Sequence, residues 1–153
     1  MTEQAGTAGE VGRIGRLGRV RLAIGFQYLL GVVYLIGGVG TLLIAAIRTG
    51  DWAGLLDPGL ERFGDPKDVI AIGPDTVWNP ILWIFGLSRV GAMLITPLAF
   101  AAVLLGLPCL ADRAVRADRR TWRLLLIGTV ICVVLAAVPS TPYGDQLQTW
   151  LLD

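Results

Sequence analysis

The sequence contains no histidine. That removes the side chain most often used as a general base near neutral pH, and the usual protein ligand for zinc and haem iron. Its two cysteines, Cys109 and Cys132, lie far apart, each inside an apolar stretch, and no C-x-x-C pair occurs. They read as small apolar packing residues rather than as a disulfide, a zinc set or a redox couple. Charge is scarce: 16% of residues are acidic or basic, against about 25% in soluble domains. Lysine is nearly absent, one against twelve arginines, a bias of high-GC bacterial genomes. No internal repeat, glycine-rich phosphate loop, EF-hand spacing or nucleophile–base pattern is present. The chain is therefore expected to be non-enzymatic, without metal or cofactor.

What is abundant is apolar length. Hydrophobic residues make up 54% of the chain and the mean hydropathy is +0.66, with the few charges gathered between long uncharged runs, the pattern of a membrane protein. Residues 22–47 carry no charge and, as a helix, would extend about 39 Å, more than the roughly 30 Å hydrocarbon core. Arg21 and Arg48 bracket them. The second block, 80–110, is interrupted only by Arg89 and would be about 46 Å long as one helix, too long for one crossing. Counting about twenty residues back from Pro108 puts the crossing at 90–110. Asn79-Pro80 reads as a helix N-cap and first turn, so 80–88 becomes an interfacial lead-in that bends at Gly86. Trp78, Trp83 and Phe85 suit the headgroup level. The third block, 124–138, is short. Trp122 and a snorkelling Arg123 extend it, and Pro139, Pro142 and Gly144 end it. The expected fold is an all-α membrane protein with three transmembrane helices in one small bundle, 22–47, 90–110 and 122–138. Around it lie a disordered basic N-terminus (1–21), an outer loop (48–89), and a tail (139–153) anchored by Trp150 and Leu151.

The arginines fall into two groups. GRIGRLGRVR, residues 12–21, carries Arg13, Arg16, Arg19 and Arg21, and residues 111–123 carry Arg113, Arg116, Arg119, Arg120 and Arg123 beside Asp112 and Asp118. Residues 48–79 hold Arg48, Arg62 and Lys67 against six acids, and the tail has Asp145 and Asp153 with no base. Basic flanks stay cytoplasmic. With three crossings every segment agrees: N-terminus inside, long loop outside, basic loop inside, C-terminus outside. An even number would break the agreement. These arginines thus read as a topology signal, each adding about 1 kcal/mol of attraction to an anionic leaflet. A nucleic-acid arm would need stacking aromatics or a recognisable fold around it, and the segment has neither. A cleaved signal peptide would carry an apolar region of about 7–15 residues, far shorter than 22–47. The expected partners are the lipid bilayer and another membrane protein or a second copy, and no nucleic acid.

Several positions inside the apolar blocks stand out. Small residues recur every fourth place at Gly37, Thr41 and Ala45, and at Gly128, Cys132 and Ala136. Such faces let helix backbones approach closely in lipid, first within the chain and second between copies, so Gly37 and Gly128 should not tolerate a bulky side chain. Gln27, Tyr28 and Tyr34 are expected to hydrogen-bond within the bundle. Arg89 either snorkels at the outer boundary or, if deeper, pairs with an acid such as Asp75 and marks a functional site. Pro97 should kink its helix and free the carbonyl of Met93 for a hydroxyl or water. The outer segment 49–79 is longer than a turn needs and has apolar anchors at Trp52, Leu55, Leu56, Leu60, Phe63, Val69, Ile70 and Ile72. Asp57-Pro58 and Asp65-Pro66 read as helix starts and Gly73-Pro74-Asp75 as a turn. One or two short helices lying over the bundle are expected there.

The stretch RLAIGFQYLLGVVYLIGGVGTLL, residues 21–43, resembles the first helix of the DoxX-type small quinone-linked membrane proteins. That family usually has four helices and other charged membrane positions, whereas this sequence reads as three and lacks them. The resemblance implies a quinone-linked redox accessory role with sensitivity at Arg89, Gln27 or Tyr34. The residues themselves favour a non-enzymatic multipass protein, either a small subunit or a self-associating component of a membrane complex. A small pore or transporter protomer stands behind both.

Overall fold

The computed structural model describes residues 3–55, 59–64 and 79–152, the side chains of 3–17 and 61 excepted. Among the described residues the regular structure is all helical, with no strand. Helix α1 (Glu3–Tyr34) passes through a π-helical stretch (Leu35–Gly40) into α2 (Thr41–Thr49). Short 3-10 turns follow at Ala53–Leu55 and Leu60–Phe63. Then come α3 (Pro80–Met93), α4 (Ile95–Ala111), α5 (Arg113–Ala117), α6 (Arg119–Ala137) with a 3-10 turn at Val138–Ser140, and α7 (Pro142–Leu152). Gly18–Thr49 and Arg119–Ser140 are each long and apolar enough to cross a membrane. The α3–α4 pair also qualifies but bends by 74° at its break, so two or three helices meet the criterion.

The ends follow local chemistry. Gly50 takes the left-handed conformation (φ 72°) and donates its N–H to the Ala46 carbonyl, closing α2. The Asn79 side chain accepts from the Ile81 N–H, with Pro80 in the first turn, as the sequence predicted. Asp112 and Asp118 cap α5 and α6 in the same way.

Four boundaries differ from expectation. Helix α1 begins at Glu3 rather than after Arg21. No proline interrupts that stretch, and a nucleated helix extends at little cost. The bend in the second block lies at Leu94, not Gly86, so the helix expected over 90–110 starts at Ile95. Proline explains the shift: Pro97 has no N–H to give to Met93, so the hydrogen-bond ladder fails one turn upstream of it. The basic loop contains a short helix of its own, α5. The tail forms an 11-residue helix, α7, with Leu147, Trp150 and Leu151 buried. Asp57-Pro58, Asp65-Pro66, Gly73-Pro74-Asp75, Leu56, Val69, Ile70, Ile72 and Trp78 lie outside the described residues.

Three apolar clusters order the bundle from end to end. One joins Val20, Ala23, Val115 and Leu125, with Cys109 and Leu110 against it. The middle joins Leu30, Ile95, Ala99, Ala102, Cys132 and Leu135. The far end gathers Leu42, Ala45, Ala46, Leu60, Phe63, Ala92, Leu147, Trp150 and Leu151. Helix α4 therefore runs from the middle to the end that holds Val20, while α3 sits at the opposite end under α7. The first is called here the basic end, the other the capped end.

Candidate functional site

Two places concentrate polar side chains inside the bundle. The first centres on Gln27 of α1, fully buried. Its Nε2 donates to the Thr129 hydroxyl of α6 at 3.0 Å and to the Ala102 carbonyl of α4 at 3.3 Å. The Thr129 hydroxyl in turn donates to the Leu125 carbonyl at 2.8 Å. One side chain thus ties all three long helices. Room for it comes from two glycines: a Cβ on Gly106 would collide with Nε2, and one on Gly128 with Oε1. Among the described residues Gln27 Oε1 has no hydrogen-bond partner, so the amide is held by fit as much as by its bonds. The Cys132 Sγ lies 4.0 Å from the Gln27 carbonyl, a packing position. Close by, the Tyr28 hydroxyl donates to the Leu124 carbonyl.

The second place is the break at Leu94. The Met93 carbonyl, which Pro97 cannot serve, accepts from Gln148 Nε2 of α7 at 2.8 Å. Arg89 of α3 answers in the other direction. Its Nε donates to the Leu151 carbonyl at 2.7 Å, and its Nη2 reaches the same oxygen. A cation at the last carbonyls of a helix also meets the negative end of its dipole. Two further α7 side chains fasten the cap: the Tyr143 hydroxyl donates to the Leu55 carbonyl at 2.8 Å, and Trp150 Nε1 to the Gly64 carbonyl at 2.9 Å. The Trp150 ring meets Phe63 edge-on. Burial pushes the Tyr143 phenol above its ordinary pKa.

Beside the break, α3 crosses the π-helical stretch. Gly37 lies so close to Ser88 that a Cβ would overlap its carbonyl. The buried Thr41 hydroxyl donates to the Gly37 carbonyl at 2.8 Å, covering an oxygen within the stretch where the helical ladder changes step. Tyr34 lines a small cavity, about 10 Å³, with Ile95, Gln148 and Leu151.

The sequence candidates therefore divide. Gln27 and Gly128 meet in the middle of the bundle. Gly37, Thr41, Tyr34, Arg89 and Pro97 gather around the break. Arg89 is seated on a backbone carbonyl, and Asp75, proposed as its partner, lies outside the described residues. Arg19 and Arg21 lie at the basic end, as do Arg113, Arg116, Arg119, Arg120 and Arg123. The side chains of Arg13 and Arg16 are not among those described. There, the Thr121 hydroxyl and then the Arg120 amide, both donating, hold the exposed Asp118 carboxyl below its ordinary pKa. Among the described residues no cluster of three or more Cys, Asp or Glu could hold a metal. The chain matches no family model, no curated protein and no solved structure.

Residues missed in the sequence are Gly106, Thr129, Tyr143 and Gln148. Pro97 did announce an unserved carbonyl, so a donor was required. Gln148 was visible as an amide in the tail, but its distance to Met93 depends on how α7 folds back.

Proposed function

We propose that this chain is an integral membrane protein of three crossings, and that it acts without chemistry of its own, as a small subunit or self-associating component of a membrane complex. One observation carries the reading: polarity is inside out. Large apolar side chains point outward along every long helix, with Leu22 at 74% exposure, Leu87 at 66% and Leu104 at 67%, while Gln27 and Thr41 are at 0%. In water such a surface would aggregate; in lipid it is the natural exterior. The quinone-linked and pore readings need polar groups along an open path, whereas Gln27, Thr41 and Thr129 face closed contacts.

The orientation proposed is basic end in the cytoplasm and capped end outside. Its support is that Arg19, Arg21 and the arginines of α5 and α6 share one end, while the turn at Leu60–Phe63 and α7 share the other. The α4 helix, about 26 Å long, would need α3 to complete its crossing near the outer boundary.

The test is purification of the tagged protein in mild detergent, with mass photometry and mass spectrometry of what co-elutes. A stoichiometric membrane partner or a defined oligomer is expected. A lone monomer in every mild detergent would overturn the subunit reading. A phosphatase fusion after Leu152 should be active outside the cytoplasm; an inactive one would reverse the orientation.

A further inference from the structure

Toward the basic end a groove lies between α1 and α4. Arg19, Leu22, Ala23 and Phe26 form one wall; Leu104, Leu105, Pro108 and Cys109 form the other, around about 540 Å³. That volume falls in the range of ligand sites, about 300–1,000 Å³. The α1 residues stand at i, i+3, i+4 and i+7, a single helix face. Everything in the groove is apolar except its mouth, where Arg19 stands. A second hollow of about 330 Å³ adjoins it, sharing Arg19, Pro108 and Cys109 and adding Val20 and Asp112. The Asp112 Oδ1 is turned to its own helix, accepting from the Ala114 N–H at 2.9 Å. An apolar trough leads, in about 10 Å along α1, to one cation, Arg19, beside a smaller hollow whose other charged lining residue is Asp112.

We propose that this groove is a binding site for one anionic phospholipid, with an acyl chain along Leu22, Phe26, Leu104 and Leu105 and the phosphate at Arg19. The inference rests on the three-crossing reading and adds to it a defined site in place of diffuse attraction to a charged leaflet. Charge complementarity selects the occupant. The apolar walls accept any acyl chain, but the mouth lies at the end where Arg21 and the arginines of α5 and α6 also stand, so a net negative headgroup is favoured over a zwitterionic one. A free phosphate would use Arg19 and leave the trough unfilled.

The test uses the full chain in nanodiscs with equal phosphatidylcholine and phosphatidylglycerol, released into mild detergent for native mass spectrometry. One retained phosphatidylglycerol is expected, enriched about fivefold, the worth of one arginine near a charged leaflet. Arg19→Gln should remove most of the preference and Arg19→Lys should keep it. Leu105→Trp, at an exposed position, should fill the trough and lower retention of both lipids. Equal retention in wild type, or a Leu105→Trp variant that still holds lipid, overturns the site and leaves the membrane reading standing. Displacement of the lipid by inorganic phosphate makes it a free-anion site and overturns the proposal. A chain that does not enter the nanodiscs overturns the membrane reading and the site with it.

Discussion

Around Gly106 and Gly128, helices close on Gln27 because two residues have no side chains, whereas at Leu94 and Leu151, backbone ends that have lost helical partners are joined by side chains reaching for carbonyls. The middle of the bundle is held by what is missing, the α7 cap by what extends. In lipid, where helices gain little from hiding apolar surface from each other, these are the two means left: close backbone packing and interhelical hydrogen bonds. The first demands shape at a few positions and tolerates chemical change. The second demands particular donors, and each is replaceable at modest cost.

The sharpest way to break this contrast is Gly37→Ala. The added methyl would meet the Ser88 backbone, which cannot swing aside. A loss of about 3 kcal/mol is expected, at the upper end of overpacking costs, read by unfolding in mixed micelles. Gly25→Ala, with open space around it, should stabilise by up to about 1 kcal/mol through helix propensity. Equal effects would mean that close approach is not what holds α3 to the π-helical stretch.

Next is a pair at Gln27. If fit dominates, Gln27→Leu should cost under about 1 kcal/mol, the scale of interhelical hydrogen bonds in membranes. Gln27→Ala should cost about 2–4 kcal/mol through the cavity left behind. Similar losses for both would instead make the bonds to Thr129 and Ala102 the main tie.

At the capped end, Gln148→Leu should cost about 1–2 kcal/mol by leaving the Met93 carbonyl without a donor. The damage should be local, with faster amide exchange over 142–152 and little change in the middle of the bundle. Gln146→Leu, at an exposed position of the same helix, is the control and should change neither.

The smallest effect concerns pH. The Tyr143 pKa is raised in the folded state by burial, so its contribution is fully present below the ordinary tyrosine value of about 10 and is lost as pH rises through the higher folded value. Ultraviolet titration of wild type against Tyr143→Phe should show a phenol ionising late, with α7 loosening as it does. A Tyr143 that titrates at the ordinary value would argue against its half-buried bond to Leu55.

How much of this was legible in the sequence depended on the range of the interaction. Charge-free length announced the long apolar helices, and Asn79-Pro80 announced the start of α3, because both are local. Pro97 announced both an unserved carbonyl at Met93 and a kink, and the 74° bend follows from it; the other bend, expected at Gly86, is not there, because glycine permits a turn anywhere while proline dictates where the ladder fails. Gly128 was legible as a small residue; that it makes room for Gln27, about a hundred residues away, was not. The fold of α7 was least legible: its tail is short and mixed in polarity, and its helix is held by contacts with Ala92, Phe63 and Leu60, which only the assembled chain brings together.

The π-helical stretch at Leu35–Gly40 acts as a gear change. Each residue of an α-helix turns the chain by about 100°, and a π turn accommodates one residue more than an α turn over its length. The face of the first helix that meets α4 and α6 around Gln27 is thereby set out of phase with the one that meets α3 and the cap around Ala45. One continuous rod can thus address two sets of neighbours. Its phase is set by residue count rather than by residue type, over the six positions Leu35–Gly40.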